Sequence, residues 1–150
     1  MTDIKTKEDR SKNMAAIHSK NTKPEVYLRK LLFSKGFRYR NNVKSIVGHP
    51  DIYLAKYNTA IFINGCFWHR HKDCKYAYTP KSRVEFWNEK FQKNKKRDVL
   101  VMAQLQSMNT KTIIIWECTI KRMQRSDELL DEIMTQVQCF LNSDDLVLEL

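Results

Sequence analysis

The 150-residue chain holds only three glycines and three prolines, too few for a collagen-like, linker-rich or low-complexity architecture. Its apolar runs, Ile113-Ile114-Ile115-Trp116 among them, stop far short of the ~20 residues that cross a bilayer. Met1 to Arg10 mixes charges with no apolar stretch behind it, so a secretory signal is not expected there. Acidic residues are the scarcer charge: 17 Asp and Glu against 27 Lys and Arg, a formal net charge of +10. What the chain does have is 42% hydrophobic content with seven Phe, six Tyr and three Trp, which excludes a disordered polyelectrolyte. The length fits one domain with a real core. A cytoplasmic protein without a membrane partner is expected.

The positive charge points to a polyanion, with nucleic acid first and an anionic membrane surface as its competitor. The membrane reading wants a basic amphipathic helix with an apolar face or a lipidation signal, and neither is evident. Four cysteines stand at 66, 74, 118 and 139. In a cytosolic chain they suggest thiols or a metal site before disulfides. Cys139, on an apolar C-terminal helix, is expected to be a small buried hydrophobe.

Residues 1–20 are taken as an arm, polar and charged over 1–13 with a short helical stretch around Met14–His18. Thr22-Lys23-Pro24-Glu25 has the form of a capping box with Pro in the first turn. It predicts a helix on Tyr27, Leu28, Leu31 and Leu32 that ends at Gly36. Phe37–Arg40, Asp51–Leu54 and Ala60–Asn64 read as strands. A second capping box, Ser82-Arg83-Val84-Glu85, predicts a long helix to about Met108, with a stripe of Val84, Trp87, Phe91, Val99, Met102 and Leu105. Lys111–Glu117 reads as a buried strand, Ser126–Leu141 as an amphipathic helix, and the acidic C-terminus as solvated. This order predicts one mixed α/β layered domain over residues 21–150.

The densest chemistry lies at about 64–80, in Cys66-Phe67-Trp68-His69-Arg70-His71-Lys72-Asp73-Cys74. Tetrahedral zinc takes four N or S ligands, with neighbouring ligands two to four residues apart. Cys66, His71 and Cys74 supply three, and Cys118 at a strand end could supply the fourth. The local set Cys66, His69, His71 and Cys74 is the rival, and spacing does not choose between them. Four protein ligands would make the zinc structural. If Cys118 is the fourth, His69 is left as a positioned imidazole able to move protons near neutral pH.

Pro50-Asp51 enters a strand, where metal-dependent nucleases often carry an Asp, but the usual second acid and lysine are missing from Ile61-Phe62-Ile63-Asn64-Gly65. Glu25 can be explained by its capping box and Asp98 by ion pairing on a helix. Both gain interest only if they converge on His69 and Asp51. Phe67 and Trp68 are adjacent, so a regular strand could not point both into one core. Among cations, such aromatics suit stacking on bases or wedging between base steps. Trp87 fits that role or core packing equally well.

Taken in order, Arg10-Ser11-Lys12-Asn13-Met14, Gly48-His49-Pro50-Asp51, Gly65-Cys66-Phe67-Trp68-His69 with His71 and Cys74, Glu85-Phe86-Trp87, Arg97-Asp98 and Trp116-Glu117-Cys118 resemble the very short patch repair (Vsr) DNA mismatch endonucleases. The resemblance implies a restriction-endonuclease-like fold, a mixed central sheet flanked by helices. It implies nicking of duplex DNA 5′ to the thymine of a T·G mismatch, formed when 5-methylcytosine deaminates. It assigns catalytic magnesium to Asp51 and the main-chain carbonyl of Ile63, catalysis to His69, and structural zinc to Cys66, His71, Cys74 and Cys118. Glu25 and Asp98 align with acids near the active site, and Phe67, Trp68 and Trp87 with aromatics that wedge beside the mismatch. The arm, with Arg10, Lys12 and Asn13, is implied to clasp the duplex. A bacterial monomer is expected, with mismatch-repair proteins as candidate partners. The pattern departs from the family at Ile63-Asn64, where members carry a hydroxyl or histidine. Cys74 also lies one residue further from His71 than in a tighter His-x-Cys. A DNA-binding module without catalysis and a restriction-type nuclease needing no mismatch are the alternatives.

Overall fold

The computed structural model describes residues 21–150. The arm, including Arg10, Lys12, Asn13 and the stretch around Met14–His18, lies outside the described residues.

Helix α1 spans Lys23–Ser34, and the Thr22 hydroxyl accepts the Glu25 N–H at 3.4 Å, as the capping box requires. It closes in a Schellman arrangement: Phe37 N–H donates to Leu32 and Gly36 N–H to Phe33, both at 3.0 Å. Gly36 takes φ +91°, a left-handed conformation in which a side chain would be strained. Five strands follow in sheet order β1 (Arg40–Asn41), β2 (Ile52–Leu54), β3 (Thr59–Asn64), β4 (Lys111–Trp116) and β5 (Val147–Glu149). The first two pairings are antiparallel and the last two parallel, so the sheet is mixed. Helix α2 (Val84–Ser107) crosses from β3 to β4, and α3 (Glu117–Met123) and α4 (Asp127–Leu141) cross from β4 to β5.

The core joins Leu28 and Leu32 of α1 to Ile52, Leu54, Ile61, Ile113 and Ile115 of the sheet, and to Ile120, Ile133, Val137 and Phe140 of α3 and α4. Phe62 points to the other face of β3 by strand alternation. There it meets the loop that carries Asp51, against α2. A Cβ on Gly48 would come within 2.5 Å of Val101 Cγ1 and 3.1 Å of the Phe62 ring. No described helix is long and apolar enough to cross a membrane.

Several expectations are corrected. The first strand pairs only over Arg40–Asn41. The second capping box does not form: Arg83, not Ser82, precedes the helix in a left-handed conformation and offers no side-chain cap. The α2 stripe buries only Phe91 and Leu105, while Val99 is 70% exposed. β4 stops at Trp116, and Glu117 opens the short α3. The C-terminus is not merely solvated: Val147–Glu149 forms a strand, and Glu149 accepts the Trp116 indole N–H at 2.8 Å. Cys139 is exposed, because it stands off the buried stripe of Ile133, Met134, Val137, Phe140 and Leu141.

Candidate active site and metal cluster

The parallel pairing of β3 with β4 sets Asn64 opposite Trp116, so the segments leaving these two strands start side by side. The first is the Cys- and His-rich loop and the second is α3. Residues Gly65–His69 make one helical turn, with His69 N–H donating to Gly65 at 3.1 Å, and His71 N–H closes it on Cys66 at 3.0 Å. Arg70 occupies the left-handed position, φ +52°, where such closures usually use glycine.

This reversal separates the two histidines. His71 turns toward β4, stacks on Trp116 with ring centres 4.0 Å apart, and lies 3.4 Å from the Cys118 thiol. Ligand atoms of Cys66, His71, Cys74 and Cys118 all lie within 4.8 Å of one another. His69 turns away, and its Nδ1 lies 2.7 Å from Asp98 Oδ2 on α2. The geometry thus groups Cys118 with the loop and leaves His69 out of the set.

The donor chemistry fits a soft or borderline cation. Burial pushes the Cys66 thiol up to about 12; the Cys118 main-chain N–H opposes this, while the Cys118 and Cys74 thiols add to the rise. For Cys74, desolvation raises the thiol, but the Tyr76 N–H and the Cys66 and Cys118 thiols outweigh it and the net shift is downward. A metal ion bound among these three thiols and the imidazole would deprotonate the thiols and be balanced by their charge.

The carboxylates do converge. Asp51, just ahead of β2, accepts the Ile63 N–H of β3 at 2.8 Å. Glu25 is buried in α1, accepting from Arg29 at 3.0 Å and from the Asn21 N–H at 2.8 Å. Burial chiefly raises the Asp51 carboxyl to about 6; Glu25 pushes the same way, while the Ile63 N–H, Arg29 and His69 oppose. A half-buried carboxylate beside a second acid, Glu25, offers hard oxygen donors that fit a magnesium-like ion. The Glu25–Arg29 pair was not legible in the sequence as a site feature. An i, i+4 Glu–Arg spacing on a predicted helix was the one signal available.

Asp51 carries a stability consequence. In the ordinary range, near 3.8, the unfolded carboxyl titrates; the folded one waits until about 6. The folded state therefore holds the extra proton between these values, and stability falls as pH rises through that window. Without added magnesium, Asp51→Asn is expected to be about 1–3 kcal/mol more stable than the parent at pH 7–8. The gain should fade below about pH 4, where both states are protonated. Denaturant melts across pH check this, and a pH-independent difference would contradict it.

Phe67, Trp68, Trp87 and Phe91 form one cluster in which Phe67 lies 5.1–5.5 Å from the other three rings, in edge-to-face contacts. Phe91 is buried beneath, while Phe67, Trp68 and Trp87 remain half-buried. Lys90 lies 5.2 Å over Trp68, and Asn94 holds the Trp68 carbonyl at 3.2 Å. The inward positions of mid-α2 are thus taken by Asn94 and Asp98, and Val99, one residue on, is turned to solvent.

Residues 2–76 match the family described as DNA mismatch endonuclease Vsr. The chain is 47% identical to the type II nicking enzyme V.NmeAIP of Neisseria meningitidis, over 92% of this chain and 98% of the relative. It is 39% identical to the DNA mismatch endonuclease Vsr of Escherichia coli, over 93% of this chain and 89% of that protein. The type II nicking enzyme V.XorIIP of Xanthomonas oryzae pv. oryzae is 35% identical over 89% of this chain and 98% of its own length.

Proposed function

The chain belongs to the Vsr family of DNA endonucleases, and from that premise we propose that it nicks duplex DNA 5′ to the thymine of a T·G mismatch left by deamination of 5-methylcytosine. The observation that carries the reading is the His69–Asp98 pair at 2.7 Å beside half-buried Asp51, flanked by half-buried aromatics. In this reading the sheet is restriction-endonuclease-like, residues 21–150 form the catalytic domain, and the arm clasps DNA through Arg10, Lys12 and Asn13. The setting is the bacterial cytoplasm, with the chain acting as a monomer on nucleoid DNA.

Asp98 carries only acceptors, so His69 donates its Nδ1–H to it and keeps Nε2 as the base toward a water at the phosphorus. Asp51 and the main-chain carbonyl of Ile63 would hold magnesium, whose chemistry there is to polarise the scissile phosphate and stabilise the leaving oxygen. Glu25, fixed by Arg29 and the Asn21 N–H, adds a second acid at the same centre. Cys66, His71, Cys74 and Cys118 would hold zinc with no position left for substrate, a structural role.

The relatives named type II nicking enzymes favour one second reading, a nickase that cuts its sequence without a mismatch. Magnesium-dependent nicking is therefore compared on a T·G duplex and its paired counterpart. Cutting confined to T·G supports the proposal, and equal cutting of both supports the second reading.

Recognition makes its own prediction. Opening a mismatched step is cheaper than opening a paired one. Trp68→Ala is expected to lose T·G over paired preference by ~1–3 kcal/mol, the scale of base stacking. Lys12→Ala, or neutralisation within Lys93–Arg97, should weaken both duplexes alike and reduce the salt slope by about one per contact. Binding titrations across a salt series separate the two behaviours. Equal weakening of both duplexes by Trp68→Ala would return that ring to the core.

A further inference from the structure

Tyr78 is 64% exposed, yet its ring is not loose: its centroid lies 5.1 Å from Phe67 at an interplanar angle of 43°. Phe67 is the hub of the aromatic cluster, so Tyr78 extends that cluster outward beyond Trp68 and Trp87. Among the described residues the ring joins no hydrophobic core and stands exposed.

What holds it is Arg70. The guanidinium donates to the carbonyls of Ala77 at 2.8 Å, Tyr78 at 3.0 Å and Phe67 at 3.3 Å, and to Thr79 Oγ1 at 3.4 Å. Its central carbon Cζ lies over the Phe91 ring, 4.1 Å from the centre, and 5.6 Å from the centre of Phe67. A planar fork with several fixed donors can bridge two backbone segments and stack at once, which an ammonium cannot. Segment 77–79 is thereby pinned over the helical turn that carries Phe67, Trp68 and His69. The side chain does this from a left-handed backbone position, φ +52°, that costs a non-glycine residue energy. The position serves the clamp and not the turn, since glycine would make the turn more cheaply.

We propose that Tyr78 is a further specificity-determining aromatic that stacks on a base beside the mismatch, and that Arg70 is its positioning residue. This rests on the reading above, in which Phe67, Trp68 and Trp87 face opened DNA. A preordered, exposed ring continuous with those three offers a π face to any base and a phenol hydroxyl to a base edge or phosphate.

The test measures T·G against paired duplex binding for Tyr78→Ala, Tyr78→Phe, Arg70→Gly and Trp68→Ala, with metal content and thermal melting of each. Tyr78→Ala is expected to cut the preference about 5- to 150-fold, the range that one stacked base represents. Tyr78→Phe should keep it. Arg70→Gly, which eases the backbone while deleting the fork, should lose the preference as Tyr78→Ala does, with metal content and melting held. Intact preference in Tyr78→Ala alongside a loss in Trp68→Ala overturns this inference and leaves the wider reading standing. Intact preference in both overturns the wider reading. Loss in Tyr78→Ala with none in Arg70→Gly overturns the positioning role of Arg70.

Discussion

Asp51→Ala is expected to abolish nicking while leaving T·G duplex binding within a few-fold of the parent. The half-buried carboxylate stands at the mouth of β2, raised by desolvation to about 6 and tied to the Ile63 N–H at 2.8 Å. Its partners in the structure are strand backbone, Glu25, Arg29 and His69, so its removal strips the proposed magnesium ligand and not a DNA anchor. His69→Ala should cost ~10²–10⁴-fold in single-turnover rate, the usual scale for a general base. Asp98→Asn should cost less than His69→Ala, because it leaves the imidazole present but no longer fixes which nitrogen carries the proton. Rates measured at saturating DNA, with binding measured in parallel, check all three. Near-parental turnover in Asp51→Ala would return that residue to a turn-and-strand role.

Cys118→Ala should show the second large effect: loss of one zinc per chain and collapse of the loop from about 64 to 80. Structural zinc in small sites supplies ~10–16 kcal/mol of apparent binding free energy. The loop is otherwise held by short turns, the Arg70 fork and the aromatic cluster. Because His71 stacks on Trp116 and approaches the Cys118 thiol at 3.4 Å, the ion would tie the loop to the end of β4. His69→Ala should retain the metal. A His69→Ala protein without zinc, or a Cys118→Ala protein with it, would favour the local ligand set. Chelation of the parent should reproduce the Cys118→Ala melt.

Much of this site could be seen in the sequence because cysteines and histidines are rare residue types crowded into one loop. The convergence of Glu25, Asp51 and Asp98 could not, because each also fits a local role as cap, turn residue or ion-pair member. Only the β3–β4 pairing and the packing of α1 and α2 bring them together. The α2 stripe went astray because its inward positions hold Asn94 and Asp98, which bond the loop at Trp68 and His69, so hydrophobicity there misstates the buried face. β5 was illegible because Val147–Glu149 is three residues long and mixed in polarity. Its strand is defined by pairing with Ile113 and Ile114 and by the Glu149 bond to Trp116. Tyr78 carried no signal in spacing, and the Arg70 fork that fixes it exists only in three dimensions.

The most direct measurement is the position of the cut. A duplex with one T·G mismatch, end-labelled on either strand in turn, is incubated with the protein and magnesium, and the products are sized to the nucleotide. One nick is expected, on the thymine strand only, immediately 5′ to the mismatched thymine, and none in the paired duplex or with Asp51→Ala. Cleavage of both strands, a cut on the guanine strand, or an equal cut in the paired duplex would contradict it.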